Sequence, residues 1–123
     1  MKLVSQPFHS KQCGHACIAM VTGETIQQVC EALQNPWSLK LDGDIMFYLN
    51  SKGYRTRIIY GNDLTIDEVP NDAIVMFRYI NEAGHFALKK NDLFYDPSVG
   101  IVKEYKEDVK VTHWLQFQKK EID

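Results

Sequence analysis

The chain has 123 residues, a formal net charge of −2, and a composition that is 45% hydrophobic and 24% charged. These values are typical of a soluble globular protein with its own core, and they exclude a disordered chain. The small net charge, with no basic stripe, gives no field for holding nucleic acid or an acidic membrane, so we expect neither as a partner. We expect a single domain over residues 1–123.

The first residues and the cysteines both indicate a cytoplasmic location. Residues 1–7 turn polar before the apolar core of a signal peptide can form, and no later segment is apolar enough to span a membrane. Cys13, Cys17 and Cys30 are an odd number of cysteines clustered in the first quarter of the chain, which is a poor disulfide framework. We therefore expect reduced thiols.

The first half of the chain is predicted to be helical. Apolar side chains recur at helical spacing in three segments, which are residues 13–21, 25–33 and 44–52. Gly23 and Gly53 end the first and third helices, and Thr25 with Gln28 forms a capping box at the second. Cys30 lies on the apolar stripe of the second helix, where we expect it to be core.

After Gly53 the pattern changes to short β-type segments. They are residues 54–60, 73–79, 86–89, 93–95, 101–105 and 111–117. Tight connectors, such as residues 82–84 and 90–92, separate neighbouring segments. Helices followed by strands predict an α+β domain with a helical layer packed on an antiparallel sheet. We interpret residues 111–117 as an exposed edge strand, able to pair between chains, and leave the oligomeric state open.

Cys13 stands where a reactive cysteine is favoured. A cysteine at the N-terminal end of a helix meets the positive end of the macrodipole and free backbone N–H groups, which favour the reactive thiolate. Gly14 is expected to let a substrate carbonyl approach the backbone, and the Cys13 N–H to donate to an oxyanion. The alternative is that Cys13 is a small buried core residue.

His85 and Asp96 are candidate partners for Cys13. His85 opens one predicted strand and Asp96 ends the next, so the hairpin between them places both residues near the same end of neighbouring strands. There the carboxylate can accept from the imidazole and fix its tautomer. Taken singly, His85 has a structural alternative, and Asp96 with Pro97 has the alternative of an ordinary turn.

These blocks together resemble a known family. Residues 13–21, Cys-Gly-His-Ala-Cys-Ile-Ala-Met-Val, resemble the nucleophile helix of the bacteriocin-processing (double-glycine leader) peptidases, which are papain-like cysteine proteases. The strand at 73–79 and the segments 84–88 and 95–100 resemble the second half of that family, where a histidine opens a strand and an aspartate precedes a proline. The resemblance covers about residues 6–105 and implies a papain-like α+β fold.

The resemblance also implies roles for individual residues. Cys13 is the nucleophile, His85 the general base and then acid, and Asp96 the group that orients His85. Gln6 corresponds to the glutamine that helps to form the oxyanion hole, although it lies about one residue further from the cysteine than in the family. Gln12 stands where the family usually has aspartate and is a weaker candidate donor. The implied activity is peptide or isopeptide hydrolysis through a thioester, on a peptide or protein substrate and without a cofactor.

Three further interpretations concern the packing of Cys17, the exposure of His15 and a possible zinc site. Cys17 lies one turn inside the predicted helix, so we expect it to be packing, and we expect His15 to be exposed. A zinc site at Cys13, His15, Cys17 and His9 lacks the second distant ligand pair that structural zinc sites use.

Two functional questions stay open from the sequence. A catalytically silent papain-like domain, acting as an adaptor or inhibitor, is the alternative to an enzyme. Within the enzyme hypothesis, deamidation or transfer to another acceptor proceeds through the same thioester as hydrolysis, and the natural substrate is not assigned.

Overall fold

The computed structural model describes residues 1–8, 10–79, 84–105 and 108–121 of the chain. The helices are α1 (Cys13–Thr22), α2 (Ile26–Leu33) and α3 (Met46–Ser51), with a π-helical turn at Leu41–Ile45 and a short 3-10 helix at Ile66–Glu68. The predicted helix at 44–52 therefore begins inside the π-helical turn. Among the described helices the longest has ten residues, and none combines the length and apolarity needed to cross a bilayer.

Six strands form one antiparallel sheet in the order β1-β6-β2-β3-β4-β5. Their bounds are β1 (Tyr54–Tyr60), β2 (Ala73–Tyr79), β3 (Gly84–Lys90), β4 (Leu93–Asp96), β5 (Gly100–Val102) and β6 (Val109–Lys119). The α+β class is confirmed. In the predicted connector at 82–84, Glu82 and Ala83 lie outside the described residues, and Gly84 begins β3.

The last strand lies inside the sheet, so the prediction that residues 111–117 form an exposed edge strand is wrong. β6 pairs with β1 on one side and with β2 on the other. A bulge after Met76 shifts the register between β2 and β6. In consequence Val111 and Trp114 enter one core and Leu115 enters the other. Residues 113–116 pair on both sides, so within the described sheet this part of the strand has no free edge for a second chain.

The buried side chains form two cores. The first joins the helices to the sheet and includes Ile18, Leu88 and Leu115, which are all fully buried. The second gathers Phe77, Trp114 and their neighbours. Every residue from 13 to 20 is buried, so α1 is a central helix rather than a surface one. Burial of each large apolar side chain is worth roughly 1.5–3 kcal/mol, which fixes α1 against β3.

The capping box predicted for α2 is present. The Gln28 backbone N–H donates to Thr25 Oγ1 over 3.1 Å, and the Thr25 N–H donates to Gln28 Oε1 over 2.9 Å. Val29 is the fully buried residue of this helix. Cys30 is only partly buried, so its prediction as core is wrong. α2 is a peripheral helix that presents one narrow face to α1.

Candidate active site

Cys13 is the first residue of α1 and is 9% exposed. The preceding residue, Gln12, sends its side chain to the carbonyl of Pro36 over 3.1 Å. The backbone N–H groups of the first helical turn have no partner within an α-helix, and the helix dipole adds a partial positive charge at the same end. Both features favour an anion held at this end of α1.

The space left by the missing side chain of Gly14 is filled by other residues of the protein. A Cβ on Gly14 would lie 3.3 Å from the Ile45 Cδ1 and from the Phe86 ring. Both neighbours are buried. Close packing, rather than the expected path for a substrate carbonyl, therefore explains the glycine at this position. The close approach seats α1 against β3, the strand that carries His85.

Gly14→Ala is expected to lower the free energy of unfolding by about 1 kcal/mol. Alanine gains up to about 1 kcal/mol in helix propensity, but overpacking a filled core typically costs about 1–3 kcal/mol. Urea denaturation measures the difference. Gly43→Ala is the matched control, because its Cβ would meet Lys40 Cβ at an ordinary 3.6 Å. Equal stability of both variants and the wild type would contradict the packing role of Gly14.

The β3–β4 hairpin brings His85 and Asp96 together. Leu88 pairs with Tyr95 across the two strands. His85 Nε2 lies 2.7 Å from Asp96 Oδ1. The His85 side chain is 14% exposed and the Asp96 side chain 0% exposed, so the pair is shielded from water. The His85 ring also packs edge-to-face on Phe77, with centroids 5.5 Å apart, which limits its rotation.

His85 also reaches Cys13. Burial opposes a charge on the ring, but hydrogen bonds to the side chains of Asp96 and Cys13 outweigh it and raise the pKa of His85 to about 9. Since Nε2 faces Asp96, Nδ1 is the ring nitrogen left for the hydrogen bond with Cys13. At neutral pH His85 is therefore an imidazolium between the Cys13 sulfur and the Asp96 carboxylate.

The Asp96 carboxylate is saturated with donors. Oδ1 accepts from His85 Nε2, from the Ser98 N–H at 2.8 Å and from the Val99 N–H at 3.2 Å, while Oδ2 accepts from the Tyr105 hydroxyl at 2.7 Å. Burial would raise the pKa of Asp96, but the bonds from His85, Tyr105 and Ser98 lower it below its ordinary value. Both interpretations of Asp96 therefore apply. Its carboxylate accepts from the backbone N–H groups of the turn that follows it, and the same carboxylate is the partner of His85.

Tyr105 is a site residue that the sequence did not reveal. It ends a segment predicted as strand 101–105, but β5 stops at Val102. Beyond that point the Tyr105 ring packs on Phe77 and Phe94, with centroid distances of 4.9 and 5.2 Å. No motif or spacing marks a tyrosine that leaves a strand to meet a carboxylate.

Gln6 is held beside the turn that follows Asp96. Its backbone N–H donates to the Pro97 carbonyl over 3.0 Å. Its side-chain Oε1 accepts from Ser98 Oγ at 2.9 Å, and its Nε2 donates to the Ser10 carbonyl at 3.0 Å. The chain before α1 is thereby fastened to the end of β4. Gln12, the weaker candidate, is directed to Pro36 instead.

Cys17 and His15 are both buried components of α1. Cys17 is 0% exposed, and burial, followed by the nearby Cys13 and Asp96, raises the pKa of its thiol well above the ordinary value. His15 is fully buried, so the expectation that it is exposed is wrong. Its Nε2 lies 2.5 Å from the Asn35 carbonyl oxygen, and burial lowers its pKa. The loop at Asn35 covers this face of α1, which sequence periodicity did not show.

Three of the four residues weighed as zinc ligands, Cys13, His15 and Cys17, lie in the described part of the chain and form no metal-binding group there. The His15 Nε2 atom is bonded to the Asn35 carbonyl oxygen. His9 lies outside the described residues. Within those residues there is no group of three or more histidine, cysteine, aspartate or glutamate side chains suited to a metal ion.

The chain matches no known family profile, and no curated protein sequence is significantly similar to it. Its fold is similar to that of a double-glycine-motif protease from an AMS/PCAT transporter, solved in complex with the leader peptide; the TM-score is 0.67 and the identity 20%, over 97% of this chain and 93% of that one. It is also similar to the peptidase domain of Streptococcus ComA, a bifunctional ABC transporter involved in a quorum-sensing pathway, with a TM-score of 0.66 and 19% identity over 97% and 98% of the two chains. The papain-like α+β fold implied by the resemblance is confirmed.

Proposed function

We propose that this chain is a cysteine peptidase that cleaves a peptide or isopeptide bond through a thioester on Cys13. The observation that carries the proposal is the position of His85. The Cys13 side chain at the N-terminus of α1 helps to raise the pKa of His85, and His85 Nε2 lies 2.7 Å from the buried Asp96. A nucleophile, a base within reach of it and a group that orients the base are the parts that covalent acyl transfer requires.

The reaction follows from this arrangement. The Cys13 thiolate attacks the substrate carbonyl carbon, and the carbonyl oxygen becomes an oxyanion. As the C–N bond breaks, His85 gives the proton on Nδ1 to the leaving amine, and a thioester remains on Cys13. Neutral His85 then takes a proton from a water molecule, whose oxygen attacks the thioester and releases the carboxylic acid and the Cys13 thiolate. Asp96 keeps the imidazole in the tautomer with hydrogen on Nε2 throughout.

Two groups are proposed to bind the oxyanion, the backbone N–H of Cys13 and the side chain of Gln6. A helix N-terminus supplies the first. Gln6 Nε2 carries two hydrogens, and among the described residues one of them is used by the Ser10 carbonyl, so we assign the second to the substrate oxyanion. The bonds from Gln6 to Ser98 and Pro97 would hold this amide in place relative to Asp96.

The proposed substrate is a peptide or an unfolded segment of a protein. The similar protease from the AMS/PCAT transporter was solved with a leader peptide bound, which supports peptide binding by this fold. We also propose a reducing, cytoplasmic setting, because Cys13, Cys17 and Cys30 are all free thiols and the reaction needs a reduced Cys13.

The proposal is tested without knowing the substrate by alkylation with iodoacetamide, read at each cysteine by mass spectrometry. Cys13 should react faster than Cys30 near pH 7, because burial raises the pKa of the partly exposed Cys30 thiol. His85→Ala should slow the labelling of Cys13 and leave that of Cys30 unchanged. Slow labelling of Cys13 in the wild type would instead favour a silent binding domain.

Peptide cleavage is expected to decline as the pH rises through about 9, the pKa of His85. Above that pH the imidazolium has lost the proton that the leaving amine needs. The contribution of the His85–Asp96 ion pair to the stability of the fold is lost over the same pH range. Because the pKa is raised from 6.5, its contribution to stability is complete below about pH 6.5 and is lost as the pH rises through about 9. A pH–rate profile measures this decline in the cleavage rate at alkaline pH. A rate still increasing well above pH 9 would contradict the assignment of His85 as the general acid.

A further inference from the structure

We propose that Tyr105 is a positioning residue for the proposed reaction, since its hydroxyl holds the Asp96 carboxylate in the orientation that presents Oδ1 to His85. This inference rests on the proposed function for its catalytic meaning. The contact itself is independent of any substrate, because the Tyr105 hydroxyl oxygen lies 2.7 Å from Asp96 Oδ2.

The second oxygen of Asp96 depends on Tyr105. Oδ1 receives three donors, from His85, Ser98 and Val99. Within the described residues Oδ2 receives one, the Tyr105 hydroxyl. Because the Asp96 side chain is 0% exposed, loss of that donor would leave a charged oxygen buried and unpaired. The carboxylate would then rotate, admit water or take up a proton, and each of these changes alters the partner of His85.

The hydroxyl is held in place by aromatic packing. The Tyr105 ring packs on Phe77 and Phe94, both of which are buried. Phe77 also contacts the His85 ring edge-to-face at 5.5 Å. The buried Phe77 ring therefore contacts both side chains that donate to Asp96, the imidazole of His85 and the ring of Tyr105. A donor fixed in this way supplies a short, charge-assisted bond without reorganisation during the reaction.

Tyr105 acts as a donor only. Burial, followed by the charge and hydrogen bond of Asp96, raises the pKa of Tyr105 above the range in which proteins work, so the hydroxyl keeps its proton. Among the described residues, the other titratable groups facing this pair are His85 from β3, Cys17 from α1 and Tyr79 from β2, while Cys13 from α1 acts on His85 and Cys17. Of these, His85 is the group charged at neutral pH in direct contact with Asp96, so it and Tyr105 together keep the carboxylate ionised.

The test compares Tyr105→Phe with the matched control Tyr54→Phe. Phenylalanine keeps the Tyr105 ring on Phe77 and Phe94 and removes only the hydroxyl. The Tyr54 hydroxyl donates to the Val21 carbonyl over 3.0 Å, so the control loses a tyrosine hydrogen bond elsewhere in the fold. Two quantities are measured in the full chain, the titration of the Asp96 side-chain carbon by ¹³C NMR and the rate of Cys13 alkylation by iodoacetamide from pH 4 to pH 8.

In Tyr105→Phe the Asp96 carboxyl is expected to titrate at a higher pH than in the wild type. Protonated Asp96 no longer supports the imidazolium of His85, so alkylation of Cys13 should fall off earlier on the acid side. We expect the rate at pH 5, relative to that at pH 7, to decrease roughly threefold or more. Tyr54→Phe should leave both curves where they are in the wild type, although it lowers the melting temperature.

Unchanged Asp96 titration and unchanged acid-side labelling in Tyr105→Phe would overturn the inference and leave Tyr105 as packing. An equal shift in Tyr54→Phe would also overturn it, because the effect would then be one of general stability. Failure of the proposed function is seen separately, as slow labelling of wild-type Cys13. In that case the Asp96 titration still decides whether Tyr105 controls the carboxylate.

Discussion

Cys13→Ala is expected to abolish peptide cleavage and to leave the fold nearly unchanged. Without the Cys13 thiolate no thioester can form on this residue. The change removes one sulfur atom from Cys13, which is buried at the first residue of α1, so the loss of stability should be on the order of 1 kcal/mol, as for other buried cysteines. The assay is a mixed peptide library digested with the purified chain and read by mass spectrometry.

Cys17→Ala is the matched control for this substitution. It lies one helical turn further along α1 and is 0% exposed, so truncation should cost on the order of 1 kcal/mol of stability and leave most of the activity. The two variants thus separate chemistry from packing. An active Cys13→Ala variant, or a well-folded Cys17→Ala variant without activity, would reverse the choice of nucleophile.

His85→Ala is expected to slow cleavage by about 10²–10⁴-fold, the range that a positioned general acid–base group contributes. Asp96→Asn should slow it less, since the base remains and only its charged partner is lost. In that variant the pKa of His85 should fall from about 9 toward its ordinary 6.5, so the alkaline limb of the pH–rate profile should move to lower pH.

The measurements are the cleavage rates of both variants and the pH–rate profile of Asp96→Asn. The control for general damage is Asp92→Asn, an exposed carboxylate in the β3–β4 turn whose side chain accepts from Asn71. It should keep the wild-type rate and profile. Wild-type rates for both His85→Ala and Asp96→Asn would remove these residues from the mechanism.

Much of the candidate site follows from short-range patterns in the sequence. A small residue and a cysteine at a helix start are local features, and α1 begins at Cys13 as its sequence predicts. His85 and Asp96 are eleven residues apart across one tight hairpin. Strand alternation and turn residues determine such a hairpin locally, so the sequence is sufficient to predict that the two side chains meet.

The errors concern contacts between segments that are distant in the chain. His15 was expected to be exposed because it stands at a variable position of the family pattern, but the loop at Asn35 covers it. Gly14 was expected to face a substrate, and the structure places Ile45 and Phe86 there. Periodicity reports which faces of an element are apolar, but it does not report which other element covers them.

The sequence by itself determined the order of helices and strands, the start of α1 at Cys13 and the hairpin that carries His85 and Asp96, because propensity, capping and turn chemistry act over a few residues. Only the tertiary structure decided that β6 lies between β1 and β2, and that Tyr105 turns back to Asp96. Strand order and the last donor to a buried carboxylate are set by which distant surfaces exclude water together, and no local pattern encodes that choice.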